Sequence, residues 1–393
     1  MESFAYYAPT EVIFGKNAEL NTGKAVKKWG GTKVLVVYGG GSAKGSGLLA
    51  RIEEELDKEG ISWTELGGVQ PNPRLALAEE GVKKALEFGA DFILAVGGGS
   101  TIDTAKGIAH GTANPGEKLW DIWTKKVPLT KSLPVGVVLT ISAAGSEMSD
   151  SAVLTNQETG RKQGLSTPFN RVKFAVMNPE LTYTLPKYQV TCGIVDIMMH
   201  TLDRYFTHTE GNEMTDRIAE ALLKNVIKNG RTAYKDQTDY HAMSELMWCG
   251  SLSHNGLTGL GAETDFAPHK IGHELSAKYD VAHGASLSAV WEAWAEYVYM
   301  EEPGRFAQYA RNVWDIQDDK EESAARKGIA ATVDYFRSIA MPVSIGELEV
   351  GVRTEEELLD MAKRATGNDT FTVAKFKELH QQDVLEILRK ANH

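Results

Sequence analysis

Five side chains in the second half of this chain have the types and spacing to bind a divalent cation. His269 and His273 lie four residues apart in Phe266-Ala-Pro-His-Lys-Ile-Gly-His273, so on a helix they share one face. His283 follows just before Gly284, where the chain can turn. Upstream, Asp196 and His200 repeat the four-residue spacing inside Gly193-Ile-Val-Asp-Ile-Met-Met-His200. One carboxylate with several imidazoles suits Fe²⁺ or Zn²⁺. Pairs of histidines at this spacing are common on helices that bind nothing. The stronger sign is Asp196, set among Ile194, Val195, Ile197 and Met198, where an unpaired charge would be costly and a cation would relieve the cost. Spacing alone does not say which histidine stays outside the ion's coordination shell.

A second group of residues has the form of an anion site. Val96-Gly-Gly-Gly-Ser100 follows an apolar run, Asp91-Phe-Ile-Leu-Ala-Val96, and opens a helical pattern. Glycines let the backbone approach an anion, and a helix N-terminus offers free N–H groups. Three successive glycines exceed what a tight strand-to-helix turn needs, which points to phosphate. Ser100 is expected to cap the helix, with Asp103 closing a capping box. Gly39-Gly-Gly-Ser42 repeats the theme after Lys33-Val-Leu-Val-Val-Tyr38. Neither loop is a G-x-G-x-x-G fingerprint, because Ile102 and Lys44 stand where the third glycine would be, and no Gly-Lys-Ser/Thr P-loop follows. Two glycine loops at the carboxyl ends of neighbouring strands still suggest a dinucleotide across the sheet edge. No acid occurs between Lys33 and Arg51 to accept from a ribose 2′-hydroxyl, while Ser42 and Lys44 could meet a 2′-phosphate. NADP(H) is therefore favoured over NAD(H).

The elements that must position these residues divide the chain in two. Strand patterns at 33–38, 61–65, 91–96 and 134–140 alternate with helical ones, including a helix from about 47 to 58, as crossover units of a parallel sheet do. Runs 152–155 and 172–177 read as strands around a polar loop containing Gly160-Arg-Lys162. Beyond about 185 the pattern is helical to the end, with a last helix expected over 373–390. The fold class is thus an α/β domain with a parallel, Rossmann-like sheet over 1–185, followed by an all-helical domain over 186–393.

Composition narrows the function. With 42 Lys and Arg against 53 Asp and Glu the net charge is −11, which argues against nucleic acid as a partner. Two cysteines, Cys192 and Cys249, supply neither a thiolate metal site nor a disulfide framework and fit a reducing compartment. No signal-like N-terminus and no run of ~18 apolar residues is seen, so a cytoplasmic protein without a membrane span is expected.

Taken in order, the motifs resemble the iron-dependent (group III) alcohol dehydrogenases, nearest to their butanol dehydrogenase-like, NADPH-dependent aldehyde reductase branch. The likeness runs from Pro9-Thr-Glu-Val-Ile-Phe-Gly-Lys16 through Gly39–Ser42, Gly97–Lys106, Gly145-Ser-Glu147, Gly160-Arg-Lys162 and Asp196-x-x-x-His200 to His269-x-x-x-His273 and His283-Gly284. It implies a dinucleotide domain followed by a helical metal-binding domain. It also implies metal ligation by Asp196, His200, His269 and His283, with His273 left out as the catalytic proton relay. For the cofactor it implies Gly39, Gly40 and Ser42 about the adenosine ribose and Gly98, Gly99 and Ser100 at the pyrophosphate. Thr140, Ser149, Lys162 and Leu181 would line the way to the nicotinamide, and Asp103 is counted with this set. Two departures are visible: His273-Glu-Leu275 replaces His-Pro-Leu, and Ser149 stands where the branch can carry Asn. The implied activity is hydride transfer between NADP(H), or NAD(H), and short- to medium-chain aldehydes or primary alcohols such as butanal and butanol, with Fe²⁺ or Zn²⁺ bound, in a homodimer. Dehydroquinate synthase-like or glycerol dehydrogenase-like chemistry on the same plan is the alternative. Around the metal motifs, however, Phe266, Met198, Met199 and Trp248 outnumber Lys270 and Lys278, which suits an apolar aldehyde better than a phosphorylated acid.

Overall fold

The computed structural model describes residues 1–393. The chain forms two compact units, one of residues 7–185 and one of 186–393 together with residues 1–6.

The first unit is built on a six-stranded, wholly parallel sheet of β1 (Glu11–Phe14), β2 (Lys33–Tyr38), β3 (Ser62–Leu66), β4 (Phe92–Gly97), β5 (Val135–Leu139) and β8 (Phe174–Met177). Their order is β1-β8-β5-β4-β2-β3. The central strands are buried along nearly their whole length, as strands covered by helices on both faces must be. Their β-branched side chains fill the layers between sheet and helices. β2 and β4 lie side by side, with Tyr38 opposite Val96, so the two glycine loops leave the sheet at the same edge.

Two sequence expectations change here. The segment after Gly160 is strand β7 (Arg161–Ser166), paired antiparallel with β6 (Ser151–Asn156) as a separate ribbon, and not a loop. The helix expected over 47–58 is present at Leu48–Lys58, preceded by a short turn at Ser42–Gly45 from which Gly47, at φ 71°, separates it. The last helix starts only at Gln381 and runs to Ala391. Asn368, Asp369 and Ala374 all have positive φ, and an isolated bridge joins Val373 to Leu379, so the chain there cannot be helical.

The second unit is helical throughout. Its long helices include Lys187–Tyr205, Glu213–Lys235, Tyr240–His254, Ala267–Tyr279 and His283–Val298. Phe206, Trp294, Phe306 and Tyr309 interlock at its centre, with Phe206 stacked on Phe306 at 4.2 Å between ring centroids. No helix of the molecule is long and apolar enough to cross a membrane.

Candidate metal centre and nucleotide loop

Three helices of the second unit carry the candidate metal ligands. The Lys187–Tyr205 helix is buried almost throughout, and Asp196, His200 and Asp203 recur on one face at spacings of four and three. The Ala267–Tyr279 helix begins abruptly. Phe266 takes a left-handed conformation at φ 67°, the Asp265 carboxylate accepts the N–H of Ala267 at 2.6 Å, and Pro268 occupies the first turn, where no N–H is needed. That start places His269 at the third helical residue. His283 is the first residue of its helix, and Gly284 explains how it comes so close. A Cβ on Gly284 would lie 2.1 Å from the Cys192 carbonyl oxygen, so only glycine allows the two helix backbones to meet there.

The result is a convergence on one oxygen. The Nε2 atoms of His200, His269 and His283 lie 3.4, 3.7 and 3.7 Å from Asp196 Oδ1. These are too long for good hydrogen bonds. They match the spacing of ligand atoms around a tetrahedral ion, which at about 2.1 Å from the metal lie about 3.4 Å apart. Candidate ligand atoms of Asp196, His200 and His269 all lie within 4.8 Å of one another. Asp196 Oδ1 and His269 Nε2 are buried with no hydrogen-bond partner in the protein, the condition a cation would relieve. Oxygen from one carboxylate and nitrogen from imidazoles fit a borderline divalent ion, so the residues present suit such an ion. Burial, the neighbouring rings of His254 and His269, and the Arg204 charge hold His200 well below the usual histidine range. Burial opposes protonation of His269 as well, but the carboxylates of Asp203 and Asp196 outweigh it and raise that group to about 9. His273 sits beside the cluster, its ring 6.2 Å from that of His269 and 5.2 Å from that of His283. Both cysteines are outside this chemistry: burial pushes Cys192 to about 12 and Cys249 to about 11.

Two residues here escaped the sequence reading. Asp203 Oδ2 lies 2.6 Å from His269 Nδ1. Its position seven residues after Asp196, on the same face, is a signal the sequence does contain. His254 stacks on His200 at 4.0 Å between centroids, and nothing in its local sequence announces that.

In the sheet unit, the Gly99–Ala113 helix follows β4 directly, with Gly98 as its N-cap. No side chain caps it, so Ser100 and Asp103 do not form the expected box. Asp103 is instead turned inward, its carboxylate accepting from the Ser146 hydroxyl and from the Val153 N–H at 2.8 Å. Lys106 is fully buried beside it and donates to the carbonyls of Ser146 at 2.8 Å and Ser151 at 2.9 Å; burial lowers its pKa to about 8. The uncapped first turn leaves its N–H groups to an anion. Sterics account for two of the three glycines without any ligand: a Cβ on Gly97 would lie 2.3 Å from Thr101 Oγ1, and one on Gly98 would lie 2.1 Å from Ile141 Cγ2. Gly99 has room, its nearest neighbour being Ala144 Cβ at 3.8 Å.

The remaining expected cofactor residues lie in the same unit. Gly39 and Gly40 follow β2, and Ser42 opens the short turn after them. Thr140 leaves β5 with its N–H on the Gly97 carbonyl at 3.1 Å. Ser149 is buried, its hydroxyl accepting from the Ser151 N–H at 2.8 Å. Lys162 reaches Asn72 Oδ1 at 3.0 Å, and Leu181 packs against the sheet core. Lys44 is not at liberty in the way the sequence suggested. It pairs with Glu65 at 2.8 Å, and the same Glu65 oxygen accepts from the Tyr38 hydroxyl at 2.7 Å. Those contacts raise the Lys44 pKa, Glu65 contributing most.

A parallel nucleotide-type sheet with glycine loops at its carboxyl edge, in one chain with a carboxylate–imidazole cluster on helices, defines a class of metal-dependent nicotinamide oxidoreductase. Residues 9–179 match the family model for iron-containing alcohol dehydrogenase, and residues 190–392 match the C-terminal model of the Fe-containing alcohol dehydrogenase family. The chain belongs to that family and is an oxidoreductase acting on alcohols; membership implies a divalent metal and a nicotinamide cofactor. Among its relatives, the NADH-dependent butanol dehydrogenase A of Clostridium acetobutylicum is 40% identical over 393 residues, covering all of both chains. The NADPH-dependent aldehyde reductase YqhD of Escherichia coli is 35% identical, over 88% of this chain and 89% of its own length. The crystal structure of NADH-dependent butanol dehydrogenase A from Thermotoga maritima superposes with a TM-score of 0.95 at 34% identity, covering 100% of this chain and 99% of that one.

Proposed function

We propose that the chain interconverts short- to medium-chain aldehydes and primary alcohols of the butanal–butanol type, with Asp196, His200, His269 and His283 holding one Fe²⁺ or Zn²⁺ ion. The observation that carries this reading is the convergence of three imidazole nitrogens on a single buried carboxylate oxygen. When bound, the ion polarises the substrate carbonyl, and the nicotinamide supplies or takes up the hydride. The chain's own part is to orient and to move a proton. His273, outside the ligand set but beside it, delivers the proton that completes the alcohol and takes it back in the reverse direction. The apolar ring of Phe266, beside His200 and His269, suits an unbranched aldehyde.

In the sheet unit, Gly98, Gly99 and Ser100 receive the pyrophosphate on backbone N–H groups, and Gly39, Gly40 and Ser42 receive the adenosine ribose. Thr140, Ser149, Lys162 and Leu181 line the nicotinamide side. Asp103 serves them by tethering Ser146 and Val153. The Lys44–Glu65 pair removes the residue basis for preferring NADP(H), since the cation already has a partner and a carboxylate stands beside it. With relatives named for NADH among those most similar, we propose NAD(H) as the better cofactor and NADP(H) as the second. Strand β1 is an edge strand, bonded only to β8, and Phe14 on it is exposed; a homodimer formed along this edge is the proposed assembly.

Metal analysis of two purified variants tests the ligand set. His269→Ala is expected to lose the ion, and with it about three orders of magnitude in rate as several kcal/mol of carbonyl polarisation disappear. His273→Ala is expected to keep the ion and lose about a hundredfold. Equal metal loss in both would overturn the assignment.

A further inference from the structure

The Lys187–Tyr205 helix grips the His269 ring from both sides. In front, Asp196 Oδ1 lies 3.7 Å from Nε2; behind, Asp203 Oδ2 lies 2.6 Å from Nδ1. Asp203 is only 1% exposed, and a buried carboxylate must have a partner to be tolerated. A carboxylate only accepts, so the Nδ1 nitrogen carries the hydrogen, and Nε2 is left as the nitrogen that can ligate an ion once it gives up its own proton. His200 has no such support, because its Nδ1 is buried without a hydrogen-bond partner and its ring is held by stacking on His254. We propose that Asp203 is a positioning residue for the metal centre, which holds the Nδ1 hydrogen and the ring angle of His269 so that Nε2 is the nitrogen offered to the ion. His269 then acts as a preset ligand.

Geometry favours this over a purely structural role for Asp203. The Asp265 N–H bonds to the backbone carbonyl of Asp203 at 3.0 Å, so the segment leading to His269 is already tied to this helix turn without the carboxylate. The side chain is therefore left to act on the ring. Partners of this kind behind a ligating imidazole typically change metal affinity by about 10–100-fold.

The inference rests on the ligand reading above, and the test separates the two. Metal-free wild type, Asp203→Ala and Asp203→Asn would each be titrated with Zn²⁺ in competition with a chromophoric chelator. Thermal unfolding and nicotinamide nucleotide binding would serve as folding controls. Asp203→Ala is expected to weaken Zn²⁺ by about 10–100-fold. Asp203→Asn, whose amide oxygen still accepts from Nδ1–H, is expected to recover most of that loss. A crystal structure of metal-free Asp203→Ala is expected to show the His269 ring rotated away from Asp196. Wild-type affinity in Asp203→Ala would overturn the inference, and so would equal losses in the two variants with the ring unmoved. If Asp203→Ala does not fold, Asp203→Asn decides alone: near-native affinity with the ring in place upholds the inference, and a loss as large as the full range overturns it. A wild-type protein that binds no Zn²⁺ would instead sink the ligand reading itself.

Discussion

The helical cluster and the glycine loop in the sheet unit solve the problem of binding in opposite ways. At the cluster, side chains bring the chemistry: Asp196 Oδ1 and His269 Nε2 are buried, convergent and without partners in the protein. Around the loop, the charged side chains and Ser149 are consumed internally. Asp103 holds Ser146 and Val153, Lys106 holds the carbonyls of Ser146 and Ser151, and Ser149 holds Ser151. What the loop keeps for a ligand is mainly backbone. One site is therefore vulnerable to loss of a side chain, the other to gain of one.

That contrast can be broken most severely at Gly284. In Gly284→Ala the new Cβ would meet the Cys192 carbonyl at 2.1 Å, and a helix backbone cannot swing aside as a side chain can. Metal constellations tolerate only about 0.5 Å of displacement, so metal affinity is expected to drop at least roughly tenfold through a residue that touches no metal. Chelator competition measures it, and unchanged affinity would show that His283 is not placed by this contact.

At the loop, Gly98→Ala and Gly99→Ala sharpen the distinction between packing and binding. The first is expected to destabilise the fold by on the order of 1–3 kcal/mol through its overlap with Ile141. The second has space for its Cβ and should melt like the wild type while binding the nicotinamide nucleotide more weakly. If Gly99→Ala alters neither melting nor nucleotide affinity, backbone approach at that residue plays no part in binding.

The last effect concerns pH and the sheet unit alone, and at neutral pH it is absent. Burial lowers His110 to about 4; its ring nitrogens meet Ser132 Oγ and Asn170 Oδ1, each at 2.8 Å. The unfolded chain takes up this proton near 6.5 and the folded one only near 4. Stability is therefore lost as pH falls from 6.5 through 4, by about 3 kcal/mol once below both values. Denaturant midpoints across this range should slope less in His110→Gln than in wild type, and parallel slopes would contradict the shift.

Much of this was legible in the sequence, and the misses share a cause. The candidates Asp196, His200, His269 and His273 stand out because a charge in an apolar helix and histidines at four-residue spacing leave a periodic trace, whereas the choice of His283 over His273 as a ligand comes from the family resemblance alone. Asp203 follows the same period, but a residue that stands behind a ligand carries no ligand signature of its own in the sequence. Strand β7 has the look of a loop in sequence because Arg161-Lys-Gln-Gly-Leu-Ser166 lies in a mostly exposed ribbon and carries no alternating apolar pattern. The Lys44–Glu65 pair leaves no local trace, because Glu65 comes alongside β2 only through the pairing of β3 with it. The glycines of the 97–99 turn were legible as glycines, but the steric reason for two of them depends on Thr101 and Ile141 in three dimensions.

The most direct test of the central claim is anomalous diffraction at the metal absorption edge from crystals loaded with Fe²⁺ or Zn²⁺. A single peak is expected within about 2.0–2.3 Å of Asp196 Oδ1 and of the Nε2 atoms of His200, His269 and His283, with His273 outside that shell. A peak that takes His273 in place of any of these ligands, or lies away from Asp196, would contradict it.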